Sequence, residues 1–535
     1  MSGQNQSEKK RPLPSFKRLD DLAGSIAGIC EAHRAPAAVV VSMLYLIIAG
    51  LIAARKPLEN DELFTLNIAR LPGLTDVWGA LLTGAEQMPP LFYVITRASL
   101  ALLGENSFAL RMPALIGILV MGISLFLFVS KRGTAILGLA AMLFPLTTAA
   151  YYYSFEARPY GLVLGFAGLG LICWQALAEG GRRRALLIGL ALSLAAAISC
   201  HYYAILIVIP FLCGEAARAY ERRRPDLPVA AAIAVSMTPL LFHLPLIRSA
   251  RSYSTAFWAQ PKWGDIPDFF NFLLASAVLP LTAMLLLTVA WSLLAPAKER
   301  ESAPYLLTHE FFAAIGFIAI PVVAVVMAMF VTRAFTYRYA LPAVIGLTVL
   351  IPPAFKRAGS DILPVLLVLL LLLGVARRGG LTLQDAALRT ADRKAEIELL
   401  LGSDHGNLPV VCTDPHAFLM LSHNAPVELR SRLVYLGDTS ESMRYLGHNS
   451  LERGMFDLLK PWFGLNVQRY RSFLKPGRRF LLFGDPDHFL NWVLPDLQSS
   501  GARIELAGKR GGSMLFLVVS DGGAIGESAE SRGGT

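Results

Sequence analysis

The sequence predicts a polytopic α-helical membrane protein of about eleven spans, followed by one C-terminal α/β domain. Three observations carry this. Of the 535 residues 54% are hydrophobic and only 16% charged, against roughly 25% charged in soluble domains. The apolar residues fall in long uncharged runs, such as Val39 to Ala54 and Leu363 to Gly374. After residue 376 the pattern changes to short strand-like runs alternating with helical stretches.

A run of roughly 17–25 apolar residues crosses a bilayer as a helix, because each residue rises about 1.5 Å. Such runs are predicted at 37–54, 108–130, 134–151, 159–178, 185–200, 203–219, 228–247, 272–295, 311–331, 339–355 and 361–376. The first comes after a polar, basic tail, 1–36, and its length and late start read as an uncleaved signal anchor. Pro89 to Leu103 is short and amphipathic (Tyr93, Arg97, Ser99), which suits a helix lying along the membrane surface. Lys or Arg marks every alternate loop: Lys131-Arg132, Arg182 to Arg184, Arg222 to Arg224, Lys298 to Arg300 and Lys356-Arg357. Basic loops stay on the cytoplasmic side. The N-terminus is therefore expected inside, and an odd span count puts the C-terminal domain outside.

That domain, 377–520, has apolar runs at 408–411, 479–483 and 514–519, and helical stretches at 388–401, 415–422 and 487–499. The alternation predicts a small α/β domain with a partly parallel sheet. The Gly- and Ser-rich end, 521–535, is expected to be a disordered tail. No nucleotide loop or metal-ligand cluster stands out in the domain; Asp485 with Asp487 could bind a cation, but a surface turn is the preferred reading. The five cysteines form no framework and read as unpaired thiols. The net charge of +10 sits in the short loops between spans, which topology explains and nucleic-acid binding does not.

Two large loops are expected on the outer side, 55–106 and 248–271, within a transmembrane domain spanning 37–376. The short outer loops add Glu156, Arg158, His201, Arg333 and Arg338. Ionisable groups at this depth are costly and tend to mark a site. Glu59-Asn60-Asp61-Glu62 opens the first loop, either as a general-base site or as the acidic first turn of a helix. Bland readings stand beside the others. Arg111 suits an interfacial anchor, Glu156 with Arg158 a surface pair, His201 to Tyr203 an aromatic belt, and Arg333 a snorkelling helix end.

Taken in order, Met88-Pro89-Pro90, Leu103 to Pro113, Ser154-Phe155-Glu156-Ala157-Arg158-Pro159-Tyr160, His201-Tyr202-Tyr203 and Arg338-Tyr339-Ala340-Leu341-Pro342 resemble the polytopic GT-C glycosyltransferases. The resemblance is to the bacterial branch similar to protein O-mannosyltransferases and lipid A aminoarabinose transferases (families 39 and 83), and covers roughly residues 37–355. It implies a cytoplasmic-membrane enzyme of the cell envelope, modifying lipopolysaccharide or another glycan. Such an enzyme moves a sugar from a polyprenyl-phosphate carrier to a lipid, glycan or protein acceptor on the outer side. Asp61 matches the family's first-loop acidic motif, and Glu62 completes it. Met88 stands where the family often has His, so no role of that His is expected here.

The residue types agree with this chemistry. A carboxylate must take the proton of the attacking hydroxyl, and Asp61 is the candidate. The phosphate leaving group calls for arginine, whose planar fork grips two oxygens. Arg158 and Arg338 are the first candidates, with Arg251 and Lys262 behind them and Glu156, His201, Tyr202 and Tyr339 alongside. One displacement step inverts the anomeric configuration. The sequence names no cofactor: Asp61 and Glu62 could hold a divalent cation, but no clear third ligand stands beside them. The alternative reading is a lipid-linked sugar transporter or flippase, in which polar groups should lie at mid-membrane beside broken helices.

Overall fold

The computed structural model describes residues 14–254, 257–294, 305–354 and 362–520. The expected tail segments 1–13 and 521–535 and the basic loops 298–300 and 356–357 lie outside them. The chain divides into two compact units. One gathers Met1–Arg55, Met88–Leu244 and Pro261–Leu383; the other gathers Lys56–Gln87, Pro245–Gln260 and Gln384–Thr535. The hydropathy pattern placed all of 37–376 in one domain; here segments 56–87 and 245–260 group with the C-terminal sheet.

The first unit is helical. Among the described residues, seven helices are long and apolar enough to cross a membrane, and two bent pairs raise the number to nine. The expected spans 134–151 and 339–355 are shorter helices, Ala135–Leu143 and Ala343–Ala354. Leu91–Leu103 is a 13-residue helix, about 20 Å long and too short to cross alone. Asn106 starts the 26-residue helix Ser107–Arg132, its side chain accepting from Ala109 N–H at 2.9 Å. This helix and Tyr160–Ala178 touch along glycines. A Cβ on Gly161 would lie 2.5 Å from the Ala114 carbonyl oxygen, and one on Gly117 2.2 Å from that of Gly161. Only residues without a Cβ let the two backbones approach this closely.

In the second unit six strands form one sheet: β1 (Val410–Cys412), β2 (Leu433–Gly437), β3 (Val467–Arg469), β4 (Arg479–Gly484), β5 (Arg503–Arg510) and β6 (Ser513–Val519). Their order is β3-β2-β1-β4-β6-β5. The first four are parallel neighbours, and β4, β6 and β5 pair antiparallel. The expected strands at 408–411, 479–483 and 514–519 correspond to β1, β4 and β6. The sheet buries Val411, Val434, Leu436, Phe480, Leu482 and Val518 against Trp492, Val493 and Leu497. Burying one such side chain contributes roughly 1.5–3 kcal/mol. Helix Asn60–Ala69 packs on helix Pro415–Asn424, next to β1.

Candidate functional site

In the first unit the turn Glu156–Pro159 is tight: Arg158 N–H donates to the Glu156 carbonyl at 2.7 Å. Arg158 and Glu156 are both buried, at 4% exposure. Tyr160 comes next, at the start of its helix, and its buried hydroxyl has no hydrogen-bond partner among the described residues. The Arg338 guanidinium lies over the Tyr160 ring, 5.7 Å from its centroid. The His201 ring is 5.3 Å from Tyr160 and 4.8 Å from Tyr339. Both Arg158 and Arg338 fall within electrostatic range of His201 and Tyr160. His201 Nδ1 accepts from the Tyr203 N–H at 3.1 Å, which leaves Nε2–H as a donor. Two guanidiniums, a phenol and an imidazole thus converge. Such donors suit a phosphate, whose oxygens accept from each of them.

Of the other expected residues, Tyr202 is half-buried and packs its ring 6.1 Å from that of His243. Lys262 is exposed, and its N–H donates to Asp265 at 2.7 Å. Arg251 is exposed and belongs to the second unit. Tyr160 closes the motif Ser154 to Tyr160 but carries no site signal of its own in the sequence; only its neighbours in space reveal it. Arg111 does not reach outward as an interfacial anchor. It is fully buried and donates to the Ala53 carbonyl at 2.8 Å, tying down the last turn of helix Arg34–Arg55. Arg378 steadies the approach to the Arg158 turn in the same way, donating to the Leu146 and Thr148 carbonyls at 3.1 and 2.6 Å.

Buried charges are not confined to the end of the helices that holds Arg158. Arg132 makes a two-pronged pair with the fully buried Glu310 at 2.8–2.9 Å, and Gln175 donates to the same carboxylate. Trp174 donates to Glu215 at 2.7 Å, and Arg218 pairs with Glu215 and Asp226. Arg132 and Gln175 lie at the C-terminal ends of the helices that carry Arg111 and Tyr160 near their starts. A 26-residue helix separates those ends by about 39 Å. This second cluster contains both signs in matched pairs; the first is dominated by cations.

In the second unit Glu62 is fully buried and accepts from the Glu59 N–H at 3.0 Å, closing the first turn of helix Asn60–Ala69. Asp61, one residue earlier, is half-buried and within electrostatic range of His416. A cavity of about 220 Å³ lies there, lined among others by Asn60, Arg393, Glu396, Asp414, His416, Asp485, His488 and Ser513. Its position is set by the sheet. β1 and β4 are adjacent and parallel, with Cys412 opposite Phe483. The chain leaves β1 toward β2 and returns on the other side as β4. Such a reversal opens a crevice beyond the carboxyl ends of the strands. Asp414 and Asp485 both stand just past those ends. Burial pushes the Glu396 carboxyl upward and the His416 imidazole downward. The expectation of no metal-ligand cluster in this domain is overturned: ligand atoms of Asp414, His416 and His488 all lie within 4.8 Å of one another. Asp485 and Asp487 do form a turn, with Asp487 N–H donating to Asp485 at 3.0 Å, but only Asp487 is exposed; Asp485 is half-buried and lines the cavity.

Residues 87–246 match the family model of dolichyl-phosphate-mannose-protein mannosyltransferases. That stretch contains the prolines at 89 and 90, Arg111, Arg158 and His201; it excludes Asp61 and Arg338. No curated protein matches the sequence. The fold is similar over 90% of the chain to the crystal structure of ArnT from Cupriavidus metallidurans in the apo state, with TM-score 0.57, 13% identity and 97% of that chain covered. The chain has the fold of ArnT. The ArnT structure bound to undecaprenyl phosphate matches at TM-score 0.53 and 14% identity, again over 90% of this chain, and over 98% of its own. The ArnT likeness covers the multi-pass helical unit and extends to a C-terminal sheet-containing domain.

Proposed function

We propose that this protein is a membrane glycosyltransferase that takes a sugar from a polyprenyl-phosphate carrier and passes it to a hydroxyl-bearing acceptor. The observation that carries this reading is the convergence of Arg158, Arg338, Tyr160 and His201, on an ArnT fold whose relative binds undecaprenyl phosphate. Arg158 and Arg338 hold the carrier phosphate, while the Tyr160 hydroxyl and His201 Nε2–H donate to its oxygens. The acceptor oxygen attacks the anomeric carbon, the bond to the carrier phosphate breaks, and the phosphate leaves as an anion already paired. Asp61 takes the acceptor's proton, and Glu62 holds the turn that presents it. The matched cluster around Arg132 and Glu310 lies at the basic end of the helices, which faces the cytoplasm. Transfer accordingly takes place on the outer side, as does folding of the C-terminal domain.

The test is a titration of purified protein in nanodiscs with a polyprenyl-phosphate analogue. Arg should bind better than Lys, and Lys much better than Ala, at both 158 and 338, because lysine keeps the charge and loses the fork. Unchanged binding by both alanine variants would make these arginines structural and leave the phosphate without its site.

A further inference from the structure

We propose that Asp414, His416 and His488 bind one divalent ion of the zinc class in the second unit. The inference is independent of the transfer reaction, because it concerns the ion alone. Two imidazoles and a carboxylate are a donor set for Zn²⁺ and its borderline neighbours rather than for Mg²⁺ or Ca²⁺, which take oxygen ligands. The three ligand atoms lie within 4.8 Å of one another. Around a tetrahedral zinc at about 2.0–2.1 Å per bond they would stand about 3.3 Å apart. The shortfall is at most about 1.5 Å, within reach of small rotations of the two histidines. Neither histidine is locked in the core, since both are half-buried.

The surroundings favour a cation. Asp414 is already aimed: Oδ1 accepts from Ala417 N–H at 3.0 Å and Oδ2 from the Thr413 hydroxyl at 3.1 Å. Its Oδ1 is 3.8 Å from His488 Nδ1. Glu396, Asp414 and Asp485 face one guanidinium, Arg393, around the cavity, and Asp61 adds its field at His416. The N-terminus of helix Pro415–Asn424 opposes a cation with roughly half a charge, which three carboxylates outweigh. Asn60 Oδ1 is buried in the same wall without a hydrogen-bond partner among the described residues, and a metal-bound water would be a donor suited to it. One contact must yield. Leu490 N–H donates to His488 Nδ1 at 3.2 Å, and bonding through that nitrogen replaces a hydrogen bond worth about 1 kcal/mol. The cavity beside the three ligands leaves the fourth position open, as in zinc sites that keep a water.

The test uses full-length protein in detergent, stripped with a chelator and titrated with Zn²⁺ against a competing indicator, then with Co²⁺ monitored by visible absorption. One equivalent should bind with sub-micromolar affinity. His416→Ala and His488→Ala should each weaken binding at least 100-fold, and Asp414→Asn, which keeps the helix cap, about 10-fold or more. His423→Ala, on the same helix, should bind as wild type. Tryptophan fluorescence checks that each variant is folded, and His488→Gln replaces the alanine change if that one is not. Binding of less than half an equivalent by wild type, or undiminished affinity in folded His416 and His488 variants, would overturn the site.

Discussion

Single residues in this protein carry roles that their types alone do not disclose. Asp61 and Glu62 are adjacent acids, yet Glu62 is fully buried and spent on its own helix cap, while Asp61 is half-buried. Asp61→Asn should therefore lower transfer at least 100-fold with little loss of folded protein. Glu62→Gln should lose stability before activity. Turnover of a lipid-linked sugar beside a melting curve separates the two, and Asp61→Asn activity within a few-fold of wild type would remove the base. Glu452 makes a different prediction. Burial pushes its carboxyl up to about 7, although Tyr435 and Trp492 donate to it. The folded state then holds a proton that the unfolded chain has released between about pH 4.5 and 7. Stability that this group gives below the lower value is thus lost as pH rises through the upper one, on the order of 3 kcal/mol. Hydrogen exchange of β1 and β2 in the full protein, corrected for intrinsic rates, should show protection falling from pH 5.5 to 8. Glu452→Gln should abolish that slope; an equal slope in the variant would place the titration elsewhere.

At the scale of elements, the contact between helices Ser107–Arg132 and Tyr160–Ala178 sets the Arg158 turn. Gly161→Leu puts side-chain atoms where the Ala114 backbone already stands, and overpacking of this kind costs roughly 1–3 kcal/mol or more. Because Arg158 and Tyr160 flank that helix start, analogue binding should fall at least 10-fold. Gly380→Ala, whose Cβ meets nothing within 4 Å, should bind normally. Equal binding by the two variants would separate the glycine seam from the site. Elements were legible in the sequence where one signal dominated. Long apolar runs marked the helices, and the apolar cores of β1, β4 and β6 marked half the sheet. The short β3 and the edge strand β5, with Arg503, Glu505, Lys509 and Arg510 along it, have no apolar run to find. The metal-type cluster was illegible for another reason. His488 lies 72 positions after His416, and only the parallel pairing of β1 with β4 brings their loops together.

At the scale of the whole molecule, the ion pairs of the first unit mark one of its two ends. Lys131 pairs with Glu179, Arg132 with Glu310, Arg183 with Asp226, and Arg222 donates to the Ala178 carbonyl. These contacts collect the basic ends of several helices at one level, which the proposed topology turns toward the cytoplasm. Arg111, Tyr160 and His201 lie at the other ends of the same helices. Arg378 touches the carbonyls of Leu146 and Thr148, in the turns that lead to Arg158. By residue 378 the apolar part of helix Ile362–Leu401 has therefore reached the end of the first unit that holds Arg158, and the proposed topology predicts that the chain beyond it is outside. A reporter that matures only in the periplasm, fused after Gly402, should be active, and one that requires the cytoplasm should be silent. A fusion after Arg132 should give the reverse pattern. Cytoplasmic activity after Gly402 would invert the molecule and turn the Arg158 cluster toward the inside. The carrier would then have to present its sugar from the cytoplasmic leaflet, and the charge pattern of the loops would run against the rule that basic loops stay inside.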